Sequence, residues 1–189
     1  KETLNETRGS FALRILLEAG LDGIHGYVAQ LGEVKEKYRY ALEIAAGSRL
    51  GQIVVDNDFV ASKAINILKR QKAGRLTFLP LNRLKKSSNN FSTARYEIKD
   101  SKGYIDKAIN LINYENIYSD VFHYVFGDTK VFTDLDTAKN LKIKSRIVTL
   151  SGELLESTGA ITGGSKLNKE LIFRFGSNDD IDEISPTKK

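Results

Sequence analysis

Few residues in this chain could do chemistry. There are two histidines and no cysteine, so thiol catalysis and disulfides are excluded and metal ligands are scarce. His25 lies in Gly23-Ile24-His25-Gly26, read as a tight turn before a strand and so as a turn residue bonding local backbone. His123 lies inside an expected helix. No H-x-x-x-H or H-E-x-x-H spacing occurs, and no metal site is expected. Asp56, Asp58, Asp134 and Asp136 form close carboxylate pairs, but each pair sits at a strand-to-helix junction where aspartate caps a helix. No catalytic residue and no cofactor is predicted. Ser157-Thr158-Gly159-Ala160-Ile161-Thr162-Gly163-Gly164-Ser165 is the most distinctive run. Glycine weakens a strand, so three here imply close approach of another backbone, a phosphate ligand or a plain surface loop. No G-x-x-x-x-G-K-[ST] is present and no long helix follows, which disfavours the phosphate.

The charge distribution points elsewhere. The 189 residues carry a net charge of +5, yet no acid occurs between Phe59 and Tyr96. Lys63, Lys69, Arg70, Lys72, Arg75, Arg83, Lys85, Lys86 and Arg95 all fall in that stretch, and Thr137 to Gly152 is acid-free too. Such segregation attracts polyanions, unless the lysines merely solvate a helix face. No apolar run is long enough to span a membrane, no signal peptide opens the chain, and the absence of cysteine fits the cytoplasm. Methionine is missing even at position 1, the expectation for a piece of a longer protein.

The elements that position these residues alternate between helix and strand. Helices are predicted over Phe11 to Ala19, Tyr38 to Ala46 with Gly47 closing it, and Asp58 to Gln71, whose inner face reads Ala61, Ala64, Ile65 and Leu68. Strands are predicted over Tyr27 to Leu31, Ile53 to Val55 and Thr77 to Leu79, the last stopped by Pro80. Further on come helices over Ile105 to Ile112, Tyr118 to Phe126 and Leu135 to Leu141. Strands follow at Lys130 to Thr133, Arg146 to Leu150 and Glu153 to Leu155. Tyr38 and Gly47 have the same spacing as Tyr118 and Gly127, and each glycine precedes a β-rich run and a helix. The expected fold is therefore mixed α/β (α+β) in two related subdomains with mixed sheets and flanking helices. The polar ends read as connections to longer elements.

Taken in order, these segments resemble the hinge domain of SMC proteins, the chromosome-condensation ATPases. Gly23-Ile24-His25-Gly26-Tyr27-Val28 is similar to the hinge's G-V-H-G-x-V. Lys37-Tyr38 with Ala41, Glu43 and Gly47 is similar to K-Y-x-x-A-x-E-x-x-x-G, and Gly74 to Asn82 to G-R-x-T-F-L-P-L-N/D. Arg146 to Glu153 is similar to R-x-V-T-L-D-G-E, and Gly159 to Ser165 to G-x-M-T-G-G-S. Thr158 stands where many members carry another glycine, Ile161 replaces Met, and Ser151 replaces Asp. The resemblance implies a toroidal homodimer linking two antiparallel coiled-coil arms, with an ATPase head elsewhere in the parent protein. It divides the chain into residues 1–9 (a stub of the incoming arm), 10–96 and 97–165 (the two subdomains, the second with the glycine-rich dimerisation segment), and 166–189 (an exit segment towards the returning arm). It places Thr158, Gly159, Ile161, Gly163 and Gly164 at the dimer interface. It also implies sequence-independent DNA contacts through Lys69, Arg70, Lys72, Arg75, Arg83, Lys85, Lys86, Lys166 and Lys169, with Phe91 and Tyr96 flanking the basic loop. Accessory condensin subunits, a nucleoid location and the absence of a membrane partner follow from the same resemblance. A stand-alone monomeric nucleic-acid-binding domain is the alternative.

Overall fold

The computed structural model describes residues 11–85, 98, 100–141, 145–165 and 173–175. Helix α1 covers residues 11–18 and stops at Gly20, which takes φ +68°. There follow β1 (Ile24–Tyr27), a 3-10 turn (Val28–Gln30), β2 (Gly32–Val34), α2 (Glu36–Ala46), β3 (Ile53–Val55), α3 (Asp58–Gln71) and β4 (Phe78–Pro80). The same plan recurs as β5 (Tyr104–Lys107), a 3-10 turn (Ala108–Asn110), β6 (Ile112–Tyr114), α4 (Ser119–Phe126), β7 (Lys130–Phe132), α5 (Leu135–Lys139) and β8 (Ile147–Thr149). A hairpin of β9 (Leu154–Leu155) and β10 (Ile161–Thr162) is added at the end.

The repetition extends to single residues. Gly47 ends α2 at φ 55° and ψ −135°, and Gly127 ends α4 at φ 53° and ψ −127°. Asn57 caps α3 by accepting from the Val60 N–H, as Asp134 caps α5 by accepting from Thr137. β1 pairs antiparallel with β3 and β3 parallel with β4; β5, β7 and β8 repeat this pattern. Both edge strands carry a bulge at the same place, Ile24/Gly26 and Tyr104/Asp106. The fold is thus mixed α/β, with mixed sheets and flanking helices.

One strand prediction and one helix prediction change. Tyr27 to Leu31 is the end of β1 plus a 3-10 turn, and Ile105 to Ile112 is β5, a turn and β6 rather than a helix. In the latter, Ile105, Ile109 and Ile112 have helical spacing, but each packs on the core from a different short element. Ile65 is 41% exposed and leaves the inner face of α3 to Ala61, Ala64 and Leu68.

The repeats meet at an antiparallel pair, β2 with β6. Gly32 permits this contact, because a Cβ there would lie 2.5 Å from Ile112 Cδ1 and 2.8 Å from Phe122 Cζ. One core runs through both, from Val28, Leu42 and Leu50 to Val121, Phe122, Phe126 and Val148. Arg49 donates across the junction to the Tyr124 and Val125 carbonyls, at 2.8 and 3.3 Å. The boundary expected at residues 96/97 lies outside the described residues.

Phe175 closes this core from the far end of the chain. It is 1% exposed, its ring lies 6.3 Å from that of Phe126, and its N–H donates to Glu43 Oε1 at 3.1 Å. Burial pushes the Glu43 carboxyl above the ordinary carboxylate range, against the Phe175 N–H, Arg39 and Arg174, which act to lower it. A raised pKa in the folded state means that stability is full below the unfolded value and is lost as pH rises through the folded value. Glu43→Gln keeps the acceptor oxygen and removes the buried charge. Denaturant melts should therefore show a stability gain for the variant that grows from pH 4 to pH 8. A gain that is the same at both pH values would contradict this reading.

Candidate interface and basic surfaces

The glycine run forms the outer strand of the longer sheet, whose order is β10-β9-β8-β7-β5. Glu156 N–H donates to Ala160 O (2.8 Å) and Gly159 N–H to Glu156 O (2.9 Å), closing the turn between β9 and β10. Gly159 has φ +98° in that turn, a local reason for glycine that requires no partner. Gly163 lies against its own chain, since a Cβ would sit 3.0 Å from Glu153 Cγ. Gly164 has φ +147° with nothing within 4 Å of an added Cβ. Every residue from Ser157 to Ser165 is exposed, including Thr158 at the turn and Ile161 at 59%. An apolar, uncapped outer strand is a template for pairing with another chain.

β4 is the outer strand of the shorter sheet, order β1-β3-β4. Its counterpart β8 is covered by β9, whereas β4 has no second neighbour among the described residues. Pro80, which lacks an N–H, stands on this edge as such positions allow. Among the described residues β4 and β10 are thus outer strands free of a bulge, alongside the bulged outer strands β1 and β5, and β10 is produced by the added hairpin.

The hairpin is tied to the first repeat. Arg146 holds the Ala45 carbonyl at the end of α2 (2.5 Å) while its Nε pairs with Glu156 at 3.2 Å. Gly152, at φ +90°, leaves room for the Tyr40 ring, which an added Cβ would meet at 2.4 Å. Thr149 donates to the Glu153 carboxylate.

The expected DNA-contacting residues separate in space. Lys69, Arg70, Lys72 and Arg75 are exposed at the C-terminal end of α3, with no ion pair among the described residues. Lys69 and Arg70 also complement the helix dipole, and Lys72 closes α3 in the left-handed region at φ 50°. Arg83 instead lies at the opposite end of α3, donating to Asp58 Oδ2 through Nε (2.8 Å) and Nη2 (2.5 Å). A 14-residue helix separates the groups by about 20 Å. Hydrogen bonds from Asn82 and Arg83 hold the Asp58 carboxyl below its ordinary range, so Arg83 is already compensated. Lys85 is exposed; Lys86, Lys166, Lys169, Phe91 and Tyr96 lie outside the described residues.

The aspartate and histidine readings need correction. Asn57, not Asp56, caps α3, and Asp58 serves Asn82 and Arg83. His25 sits on β1 at the bulge, which turns its side chain out of the ladder. Its Nδ1 lies 2.7 Å from Tyr118 Oη in the second repeat and its Nε2 lies 2.6 Å from Asp56 Oδ1. It bonds side chains distant in sequence rather than local backbone. In the second repeat, Lys130 is buried, with Nζ on Asp128 Oδ2 (2.7 Å) and Ser145 Oγ (2.9 Å). Burial acts to raise the Asp128 carboxyl, but bonds from Lys130 and Lys107 outweigh it and hold it low. Among the described residues no metal-holding group of three occurs and no helix could cross a membrane.

The described residues form a duplicated α/β unit with a shared core, in which residues 173–175 pack on the first repeat. Residues 21–142 match the model of the SMC proteins flexible hinge domain. The chain belongs to this hinge family, which is not a catalytic domain. It is 48% identical over 95% of its length to the chromosome partition protein Smc of Synechococcus, and 45% identical over 97% to that of Synechocystis. It spans 15% of the length of these relatives. Among solved structures, the SMC hinge domain of Geobacillus stearothermophilus superposes with a TM-score of 0.75 at 32% identity. That match covers 84% of this chain and 66% of the other. The Pyrococcus furiosus hinge gives 0.64 at 34% identity, over 87% and 94%.

Proposed function

We propose that this module is the dimerisation hinge of a chromosome condensation and segregation protein, joining two antiparallel coiled-coil arms and touching DNA through phosphates. The observation that carries the proposal is the unequal treatment of two equivalent strands. β8 is covered by β9, while β4 is bare and the β10 edge is free. In a symmetric pair, β10 of each copy would cover β4 of the other, so that both open edges close and a ring forms around the axis. Thr158, Gly159, Ile161, Gly163 and Gly164 would line that contact. The Geobacillus relative is described as an asymmetric dimer, which supports the association of two copies.

The arms would leave from one side. Leu13 of α1 and Phe173 both pack on the cluster of Tyr27, Ile53, Val55 and Ala61, and Phe173 fills the space beside Gly51. Residues 1–9 are assigned to the incoming arm, 10–96 and 97–165 to the two repeats, and 166–189 to an exit segment that leads towards the returning arm. The ATPase heads, the accessory condensin subunits and the cytoplasmic nucleoid setting belong to the parent protein. Light scattering should give twice the 21.1 kDa chain mass. Gly163→Val should give folded monomers, since a branched side chain at this exposed position blocks an approaching backbone while its own-chain neighbour, the Glu153 side chain, can shift. A wild-type monomer at tens of micromolar, or a variant that stays dimeric, sinks the edge-pairing assignment.

A further inference from the structure

Helix α1 and residues 173–175 are held by the same repeat, and the β10 edge lies between them in sequence. Leu13 of α1 is buried with Tyr27, Ile53, Val55 and Ala61, and Phe173 packs on that same cluster. The Phe173 ring lies 4.9 Å from that of Tyr27 and fills the space beside Gly51, where an added Cβ would meet it at 2.5 Å. Phe175 is buried with Leu42, Leu50 and Phe126, and its N–H donates to Glu43. Residues 173–175 thus combine two ring contacts with a main-chain hydrogen bond. The glycine run just before them has the opposite character. β10 is two residues long, pairs with β9 alone among the described residues, and every residue from Ser157 to Ser165 is exposed. With no buried side chain to hold it, β10 is the easier of the two to detach.

We propose that residues 173–175 are a load-bearing clamp that shields the β10 edge from tension arriving along the C-terminal end of the chain. The proposal rests on the reading of β10 as the pairing edge and of the chain ends as the roots of the arms, and adds a division of labour between them. A pull on the C-terminal end meets Phe175 and Phe173 first. From there it passes through the core to the cluster that holds Leu13 of α1, without entering the hairpin. Once the clamp lets go, the same pull arrives just beyond β10 and peels that strand from its end. Peeling breaks backbone bonds one after another, so a strand this short resists it little. The clamp and the edge therefore fail in a fixed order, clamp first.

The test is a dimer held at constant force in an optical trap. The chain has no cysteine, so handles attach only at Lys189→Cys of both copies or, separately, at Lys1→Cys of both copies. Phe175→Ala should shorten the dimer lifetime roughly tenfold when the load enters at residue 189. It should leave the lifetime unchanged when the load enters at residue 1 or when no force is applied. Phe173→Ala, which removes a less buried ring, should show the same pattern at a smaller cost in stability. Equal shortening through both attachments overturns the clamp, because Phe175 would then act through overall stability. Unchanged lifetimes through both overturn it too. A monomeric wild-type protein removes the pairing edge and with it the shielding. The clamp itself is then read in a single chain pulled between residues 1 and 189. Release of residues 173–175 should appear there as an early lengthening of up to about 35 Å that Phe175→Ala abolishes. Its persistence in the variant would show that these residues bear no load.

Discussion

Ile161→Glu is expected to turn the hinge into a folded monomer. Ile161 pairs only with Leu155 of its own chain and is 59% exposed, so the isolated chain gains little from it. Burying an isoleucine side chain at an interface is worth about 1.5–3 kcal/mol, and a carboxylate there adds the cost of leaving water. A two-fold axis counts the change twice. The sum, about 4–6 kcal/mol, raises the dissociation constant by roughly 10³ to 10⁴. Light scattering should report the single-chain mass while the far-ultraviolet circular dichroism spectrum stays that of the wild type. Ile161→Val, which keeps the apolar edge, should remain dimeric. A dimeric Ile161→Glu protein would place the interface elsewhere.

Much of what positions this edge is legible in the chain, and the rest is hidden for physical reasons. α3 is readable because its inner alanines and its basic last turn agree, and the structure gives the same residues, Asp58–Gln71, although the cap is Asn57 rather than an aspartate. Ile53–Val55 is readable as a short β-branched run that is wholly buried. Ile105 to Ile112 misleads because a bulged strand, a turn and a second strand can mimic helical spacing over eight residues. The first repeat holds the cue: Gly23 and Gly103 both precede a bulged strand that runs into a 3-10 turn. Contacts across long separations are not encoded locally. Nothing near His25 names Tyr118, nothing near Arg146 names the Ala45 carbonyl, and nothing near Phe175 names Glu43. The basic stretch shows the opposite effect. It is one block in sequence, but the helix-to-strand return places Arg83 at the opposite end of α3 from Lys69 to Arg75.

Phe175→Ala is expected to give the complementary result, a dimer of much lower stability. Phe175 comes more than a hundred residues after Leu42 and Leu50, yet shares their core at 1% exposure. Truncating a buried phenylalanine costs about 3–5 kcal/mol, the lost transfer free energy plus the cavity left beside Phe126. For a chain of this size that corresponds to a fall in melting temperature of roughly 6–20 °C. Calorimetry at matched protein concentration measures it, and the Phe175 N–H bond to Glu43 keeps its backbone atoms in the variant. Ile161 and Thr162 of β10 do not belong to the core that Phe175 joins, so the mass at assay concentration should remain that of the dimer. A fall of less than 1 °C would mean that residues 173–175 do not seat on α2 in solution. Seating matters because α2 holds both ends of the problem. Glu43 grips the departing chain, while Tyr40 and the Ala45 carbonyl receive Gly152 and Arg146 beside the edge hairpin. If Phe175→Ala lowers stability without dissociating the dimer and Ile161→Glu dissociates it without unfolding, the anchor of the exit segment and the edge that pairs are separable parts of one fold.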